Sequence, residues 1–396
     1  MPEFKLFKFL SNTFICSALH TSLISCVLIP YFKISGMLPF QISILVTVKR
    51  LVRIGGDMFF GIIFDRFGAK VVFLVGRVMK FASYCILLYK PSFFTLCLSM
   101  VIYGLSEGTI QGKVSSFIYN NLKANDKLSS FSKAMSYYYL VIDIHIAFLS
   151  FLTGVLLKKY DYNVIIYVSM VMNVFSILLI LKLIPSNSQN NLNQFVSKSF
   201  VDVLKTLKDV IKNNNLFLYI ILLYGVLVFF SWQFGSIASM VLLDMGMDGT
   251  GVAMIGSAVK ICMAIGTFIP IIVIKKTLSL KEVSLAVLLL VSFGLISSIT
   301  YNIYIFCAFM LLFDIFYVVL EVSLEKNLEG VSNKTIRGTA ISLAMTFCNI
   351  VAVITNLIVG FIAQYMYYKI ALILIMFVIF LLCLLLFFIF SKKKLY

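Results

Sequence analysis

Residues 45–70 read LVTVKRLVRIGGDMFFGIIFDRFGAK, and this stretch places charges inside a segment that otherwise resembles an apolar helix. The charged side chains of its middle are Lys49, Arg50, Arg53 and Asp57. The stretch then closes on a charged turn that begins at Asp65 and ends in Gly68. Because burying an unpaired charge is costly, these residues need a specific reason to be there.

The composition of the whole chain sets the environment of this stretch. Of its 396 residues 61% are hydrophobic and only 12% are charged. A soluble domain needs a more polar exterior than this, so the composition indicates an all-α membrane protein that crosses the bilayer many times. The eight cysteines stand singly, without a C-x-x-C pair, and we expect neither a metal site nor a cofactor.

Twelve segments are long and apolar enough to cross a bilayer as helices, which takes about 20 residues each. They are 9–30, 40–64, 70–89, 92–119, 131–157, 163–184, 216–243, 250–275, 280–300, 303–325, 337–364 and 369–391. We number these predicted spans one to twelve.

The basic residues predict the orientation of the chain. With a cytoplasmic N-terminus, 21 of the 33 lysines and arginines fall inside and only five fall in outside loops. The net charge of +17 therefore needs no nucleic-acid partner. We expect a cytoplasmic (inner) membrane protein with both termini in the cytoplasm.

The spans divide into two halves, an N-terminal six-helix bundle over 1–184 and a C-terminal one over 216–396. Residues 185–215 form a polar cytoplasmic linker whose second part predicts an amphipathic helix on the membrane surface, or alternatively a simple tether. At an offset of 206 residues four identities join the loops after spans four and ten, for example Asn121 with Asn327. Such pseudo-symmetric halves are typical of secondary transporters.

The topology and the charged turn together resemble the major facilitator superfamily. The signature of that family between its second and third helices is G-x-x-x-D-R/K-x-G-x-R/K. This chain matches every defined position, with Gly61, Asp65, Arg66, Gly68 and Lys70. The resemblance implies a bundle of twelve transmembrane helices and transport by alternating access.

The same resemblance implies a gating role for the turn. In the family the acidic residue faces the start of the eleventh helix in one conformation, and Arg337 is the candidate partner here. We expect Gly61 to allow a close helix approach and Gly68 to permit a tight turn. The alternative is a solvated turn that only sets orientation.

Charges within the spans carry the functional prediction. Seven basic and five acidic residues lie there, and each would cost at least about 2.5–3.5 kcal/mol in lipid. They must therefore pair or line a wet cavity. We expect Arg53 to pair with Asp57 on its own helix, and Arg77 and Lys80 to pair with Asp57 or Glu107. Two positive charges remain in surplus, which favours an anionic substrate.

The family's helix arrangement then assigns roles to individual residues. Arg53 and Lys260 fall at equivalent positions of the two halves and are predicted to bind the substrate's anionic group. Further predicted substrate contacts are Lys49, Trp232, Gln233, Asn349 and His20. The predicted proton-coupling carboxylates are Glu107, Asp314 and Asp143. Glu107 and Asp314 could instead serve as structural partners of the buried cations.

The sequence therefore predicts a secondary transporter of a small organic anion or polar metabolite, coupled to protons and acting as a monomer in the lipid bilayer. Efflux of drugs or metabolites is the first alternative, and a non-transporting sensor or scaffold on the same fold is the second. No G-x-x-x-x-G-K-[ST] loop is present in the sequence, so we expect neither ATP-driven pumping nor enzymatic activity.

Overall fold

The computed structural model describes residues 23–89, 91–110, 113–123, 131–184, 215–272, 279–331 and 334–392. The described part of the chain is built from α-helices and one short 3₁₀ turn, Ile24–Cys26. Its long helices follow the predicted spans closely, most ends lying within a few residues of the predicted ones. Predictions that fall on residues 1–22, His20 among them, lie outside the described residues.

We label the helices α1 to α13 in chain order. The helix Pro39–Leu88 contains a kink at Gly68, and we treat its two arms as α2 (39–67) and α3 (69–88). The remaining helices are α1 Leu28–Ile34, α4 Phe93–Gly108, α5 Lys113–Lys123, α6 Phe131–Leu157, α7 Tyr162–Leu183, α8 Asn215–Asp244, α9 Gly249–Ile272, α10 Leu280–Ile299, α11 Ile303–Val331, α12 Lys334–Tyr365 and α13 Tyr368–Lys392.

Ten candidate membrane spans are found among the described residues, from Arg66–Leu88 to Tyr368–Phe388. The helix α2 is not one of these ten. It contains the four charges of the opening stretch, Lys49, Arg50, Arg53 and Asp57, within nine residues.

Two breaks in the helices have local causes. Gly68 has a φ of 81°, which glycine adopts without steric cost, and this produces the predicted tight turn between α2 and α3. Span four was predicted over 92–119, and the candidate membrane span Phe93–Tyr119 confirms it, although the helix is divided there into two pieces, with α4 ending at Gly108 and α5 beginning at Lys113. At the break, Thr109 caps its own turn by donating its hydroxyl to the Ser106 carbonyl.

The chain packs into two compact units. The first comprises Met1–Leu192 with Met247–Ala264, and the second comprises Asn193–Gly246 with Ile265–Tyr396. The first part of α9 thus belongs to the first unit. The predicted halves, 1–184 and 216–396, instead place the whole of α9 in the second half. The division into these halves stays a prediction.

Each unit has an aromatic core of its own. In the first, Phe64, Phe73 and Phe117 pack together. In the second, the ring of Phe313 lies 4.7 Å from Phe230 and 5.3 Å from Phe234 between centroids.

Candidate functional site

Helices α2 and α4 approach each other at glycine residues, and this closeness positions the charged side chains. A Cβ atom on Gly104 would lie 2.5 Å from the Lys49 carbonyl oxygen, and one on Gly108 would lie 2.8 Å from the carbonyl carbon of Gly56. Small residues spaced four apart are typical of such contacts in membrane helices. The glycines bring Glu107 of α4 beside the cations of α2.

Glu107 contacts two of these cations. Its carboxylate lies 3.3 Å from Lys49 Nζ and 3.9 Å from Arg53 Nη1. The side chains of all three residues are between 23% and 24% exposed, so the cluster is neither in bulk water nor sealed from it. The prediction that Arg53 pairs with Asp57 is wrong, because the close approach of α4 provides a tertiary partner.

Asp57 instead pairs with Lys113, the first residue of α5. The Lys113 ammonium contacts the Asp57 carboxylate and also donates to the Gly108 carbonyl at 3.0 Å. Gly108 is the last residue of α4, and its carbonyl has no N–H partner within the helix because the helix ends there. Lys113 therefore caps the break in the fourth span as well as neutralising Asp57.

A second group of cations lies on α3. The Lys80 ammonium lies 4.6 Å from the ring centre of Tyr103, and Lys49 lies 5.1 Å from the same ring. Arg77 donates to the Asn173 side-chain oxygen at 3.4 Å, and Asn173 donates to the Arg77 carbonyl at 2.8 Å. Among the described residues neither cation forms a direct ion pair with Asp57 or Glu107, so the predicted pairing is wrong as a direct contact, although Glu107 is near enough to interact electrostatically with both.

Helix α6 and the first part of α9 are also joined by an ion pair. Lys260 Nζ lies 3.3 Å from an Asp143 oxygen and 3.2 Å from the sulfur of Met263. The Ser257 hydroxyl donates to the Ala147 carbonyl at 2.8 Å one turn away. On α6, the buried Nε2 of His145 has no hydrogen-bond partner among the described residues.

The predicted site residues of the second unit lie in packed surroundings. Gln233 is fully buried and its side-chain nitrogen donates to the Ala352 carbonyl at 3.1 Å, joining α8 to α12. Asn349 is 5% exposed. The acidic residues Asp314 and Glu321 both lie on α11, and Glu321 accepts from the Tyr224 hydroxyl at 3.4 Å.

The residues of the charged turn are only partly described. Lys70 donates to the Leu181 carbonyl at 3.0 Å, and the Arg66 guanidinium lies 5.4 Å from the ring centre of Phe67. No described heavy atom lies within 4 Å of a Cβ placed on Gly61, and the close helix approach expected there stays a prediction. The side chains of Asp65, Trp232 and Arg337 lie outside what the structure describes.

The charges of the spans are distributed unequally between the two units. All seven basic residues lie in the first unit, together with only Asp57, Glu107 and Asp143 among the acids. The first unit thus has four more cations than carboxylates within its spans. Sequence reasoning missed Tyr103 and Asn173, although Tyr103 stands four residues before Glu107 and so shares its helix face.

The fold and these charges define a helical membrane protein with many spans, as the ten apolar helices of the described chain indicate. The family model of the Major Facilitator Superfamily matches residues 10–279, which is more than half of the chain. The chain therefore belongs to that superfamily.

Similar proteins agree with this assignment. An uncharacterized transporter of Buchnera aphidicola subsp. Schizaphis graminum (strain Sg) is 25% identical over 177 residues, spanning 43% of this chain and 42% of that relative's length. The nucleoside transporter NupG has a TM-score of 0.69 at 14% identity, covering 98% of this chain and 99% of its own. The POT family transporter PepTSo has a TM-score of 0.70 at 13% identity, covering 97% of each chain. A D-xylose-proton symporter has a TM-score of 0.68 at 12% identity, covering 94% and 97%. At these identities the structures share the fold.

Proposed function

We propose that the protein is a secondary active transporter that moves a small organic anion or a polar metabolite with an anionic group, together with protons, by alternating access. The observation that carries this proposal is the surplus of four cations within the spans of the first unit. Cations in a partly wet, low-dielectric region attract an anion more strongly than they would in bulk water. Supporting features are membership of the superfamily and the match to its charged turn.

Glu107 provides a physical link between the anion and the proton. Its carboxylate neutralises Lys49 and Arg53 when no substrate is bound. Protonation of Glu107 removes that negative charge and leaves two cations ready for a carboxylate or phosphate of the substrate. Arg53 offers paired N–H donors to such a group, and Lys49 offers a mobile point charge.

Lys260 is the second predicted substrate cation, and Asp143 neutralises it as Glu107 neutralises Lys49 and Arg53. A substrate anion at Lys260 would compete with Asp143, so binding would loosen the contact between α6 and α9. Because the substrate would break this ion pair, its binding would be coupled to the rocking of the two predicted halves. Insertion in the cytoplasmic membrane, cytoplasmic termini and a monomeric state are part of the proposal.

The decisive test is uptake by proteoliposomes that contain the purified full-length protein. The panel contains small mono- and dicarboxylates and a sugar phosphate, with a nucleoside, xylose and a dipeptide as uncharged or zwitterionic comparisons. We expect uptake of at least one anion, driven by an inward proton gradient, and its loss in Arg53→Ala and in Lys260→Ala. The exposed-loop variant Lys159→Ala provides the control for removal of a lysine.

Two results would contradict the proposal. Uptake of only uncharged solutes would show that the surplus cations do not select the substrate. Anion uptake that is unaffected in both variants would remove Arg53 and Lys260 from the binding site. A thermal-shift screen of anionic metabolites on the purified protein narrows the panel before the transport assay.

A further inference from the structure

Helix α3 places two buried cations on one face, and among the described residues no carboxylate forms a direct ion pair with either of them. Arg77 and Lys80 are three residues apart, a spacing that puts both side chains on the same side of a helix. Arg77 is fully buried and Lys80 is 4% exposed. Two like charges at this spacing repel each other, and burial strengthens the repulsion because there is little water to screen it.

Both side chains have hydrogen-bonding capacity that the described part of the chain does not use. The Nη1 atom of Arg77 donates a hydrogen bond to Asn173, whereas its Nε and Nη2 atoms are buried without a hydrogen-bond partner among the described residues. The Lys80 ammonium has the Tyr103 ring 4.6 Å away, but within the described ranges it makes no hydrogen bond to an acceptor. A ring face offers a cation part of what a full counter-ion provides.

The three carboxylates within the spans of the first unit each have a nearer cation than Arg77 or Lys80. Glu107 lies beside Lys49 and Arg53, Asp57 contacts Lys113, and Asp143 contacts Lys260. Leaving buried donors unsatisfied costs free energy for every group, and more for charged ones. A small anion between Arg77 and Lys80 would satisfy donors of both residues and remove the repulsion between them.

We propose that Arg77 and Lys80 form a binding site for a small monovalent anion of the chloride type inside the first unit. A monovalent ion fits better than phosphate or sulfate, because the cost of removing an ion from water rises steeply with its charge. Chloride also has no directional requirement, so it can accept from guanidinium and ammonium groups set three residues apart. This site goes beyond the proposed function, since the bound anion need not be the transported one.

The experiment measures chloride binding directly, by the broadening of the chloride NMR line on addition of the full-length protein in detergent and its reversal by bromide. We expect broadening with the wild type, binding at least about tenfold weaker in Lys80→Met, and retained binding in Lys80→Arg. Lys159→Met, in an exposed loop, should bind chloride as the wild type does. Phosphate should fail to compete with chloride.

Three outcomes would overturn the proposal: no excess broadening by the wild type, unchanged broadening by folded Lys80→Met, or effective competition by phosphate. If Lys80→Met does not fold, the test uses crystals of the wild type soaked in bromide. An anomalous peak beside Lys80 and Arg77 would support the site, and the lack of such a peak would overturn it. Arg53→Ala separates the two proposals. It should abolish organic-anion uptake while leaving chloride broadening intact.

Discussion

The ammonium nitrogen of Lys49 lies 3.3 Å from the carboxylate of Glu107, across the contact between α2 and α4. The two residues are 58 positions apart in sequence, and only the glycine-mediated approach of the helices brings them together. The same carboxylate lies 3.9 Å from Arg53. One acidic group therefore neutralises two cations, so a change in its charge affects both at once.

The variant Glu107→Gln should separate anion binding from proton coupling. Because the amide is neutral at every pH, Lys49 and Arg53 stay available to the substrate anion. We expect anion exchange across the membrane to persist, while accumulation driven by a proton gradient falls at least about tenfold. The measurement compares counterflow with gradient-driven uptake in proteoliposomes.

The control for this variant is Asp161→Asn, which removes an exposed carboxylate at the start of α7. It should leave both modes of transport unchanged. If Glu107→Gln accumulates anion as fast as the wild type, Glu107 is a structural partner of the cations and carries no proton.

The ion pair between Asp143 and Lys260 should stabilise the first unit, because it joins α6 to the first part of α9 and both side chains are largely removed from water. Their side chains are 13% and 28% exposed. We expect Asp143→Asn and Lys260→Met each to lower the thermal unfolding midpoint, and the double variant to lower it by less than the sum of the two. A coupling free energy of about 1 kcal/mol or more is expected. Strict additivity would mean that the two side chains do not interact in the membrane.

Asp65→Asn should slow transport without unfolding the protein, as the family's gating turn implies. The substitution keeps the side chain's size and removes the charge that is predicted to meet Arg337 in one conformation. We expect a transport rate reduced by about five- to 150-fold, the range of typical coupling energies. Transport is measured in proteoliposomes, with the unfolding midpoint as the check on folding; wild-type transport by Asp65→Asn would leave the turn with an orienting role only.

The ends of the helices could be predicted from the sequence because local chemistry determines them. Pro39 begins α2, and Ser92 and Ser279 cap α4 and α10 by accepting from backbone N–H groups three residues on. Gly68 ends α2 with a positive φ. Each of these signals acts within a few residues, so no knowledge of the tertiary fold is required.

The partners of the buried charges could not be predicted in this way. A spacing of four residues places Arg53 and Asp57 on one helix face, but a neighbouring helix can offer either of them a nearer partner. Gly104 and Gly108 lower the distance between α2 and α4, so Glu107 and Lys113 become those partners. The small residues were the available signal, because glycines four apart on an apolar span predict close packing.

Lys113→Met should destabilise the protein more than Asp57→Asn does. The lysine is 5% exposed and supplies a donor to the carbonyl of Gly108 at the break of the fourth span. Its loss leaves that carbonyl without a cap, at a cost of about 1–3 kcal/mol. The Asp57 side chain is 41% exposed, and its amide replacement still accepts hydrogen bonds. Thermal unfolding in detergent compares the two variants; a larger loss in Asp57→Asn would mean that charge pairing outweighs capping.

The close packing of α2 on α4 can be tested with two glycines, Gly108 of α4 in the contact and Gly55 of α2 beside it. Gly108→Ala places a Cβ 2.8 Å from the carbonyl carbon of Gly56, a backbone atom that cannot turn away. The helices must then move apart, and we expect a loss of about 1–3 kcal/mol in unfolding free energy together with weaker anion uptake. Gly55→Ala is the matched control, because no described heavy atom lies within 4 Å of its Cβ. Since alanine favours the helical conformation over glycine, Gly55→Ala should unfold at the same temperature as the wild type or slightly higher. Equal unfolding midpoints for the two variants would mean that α2 and α4 are not held at the distance on which the Lys49–Glu107 contact depends.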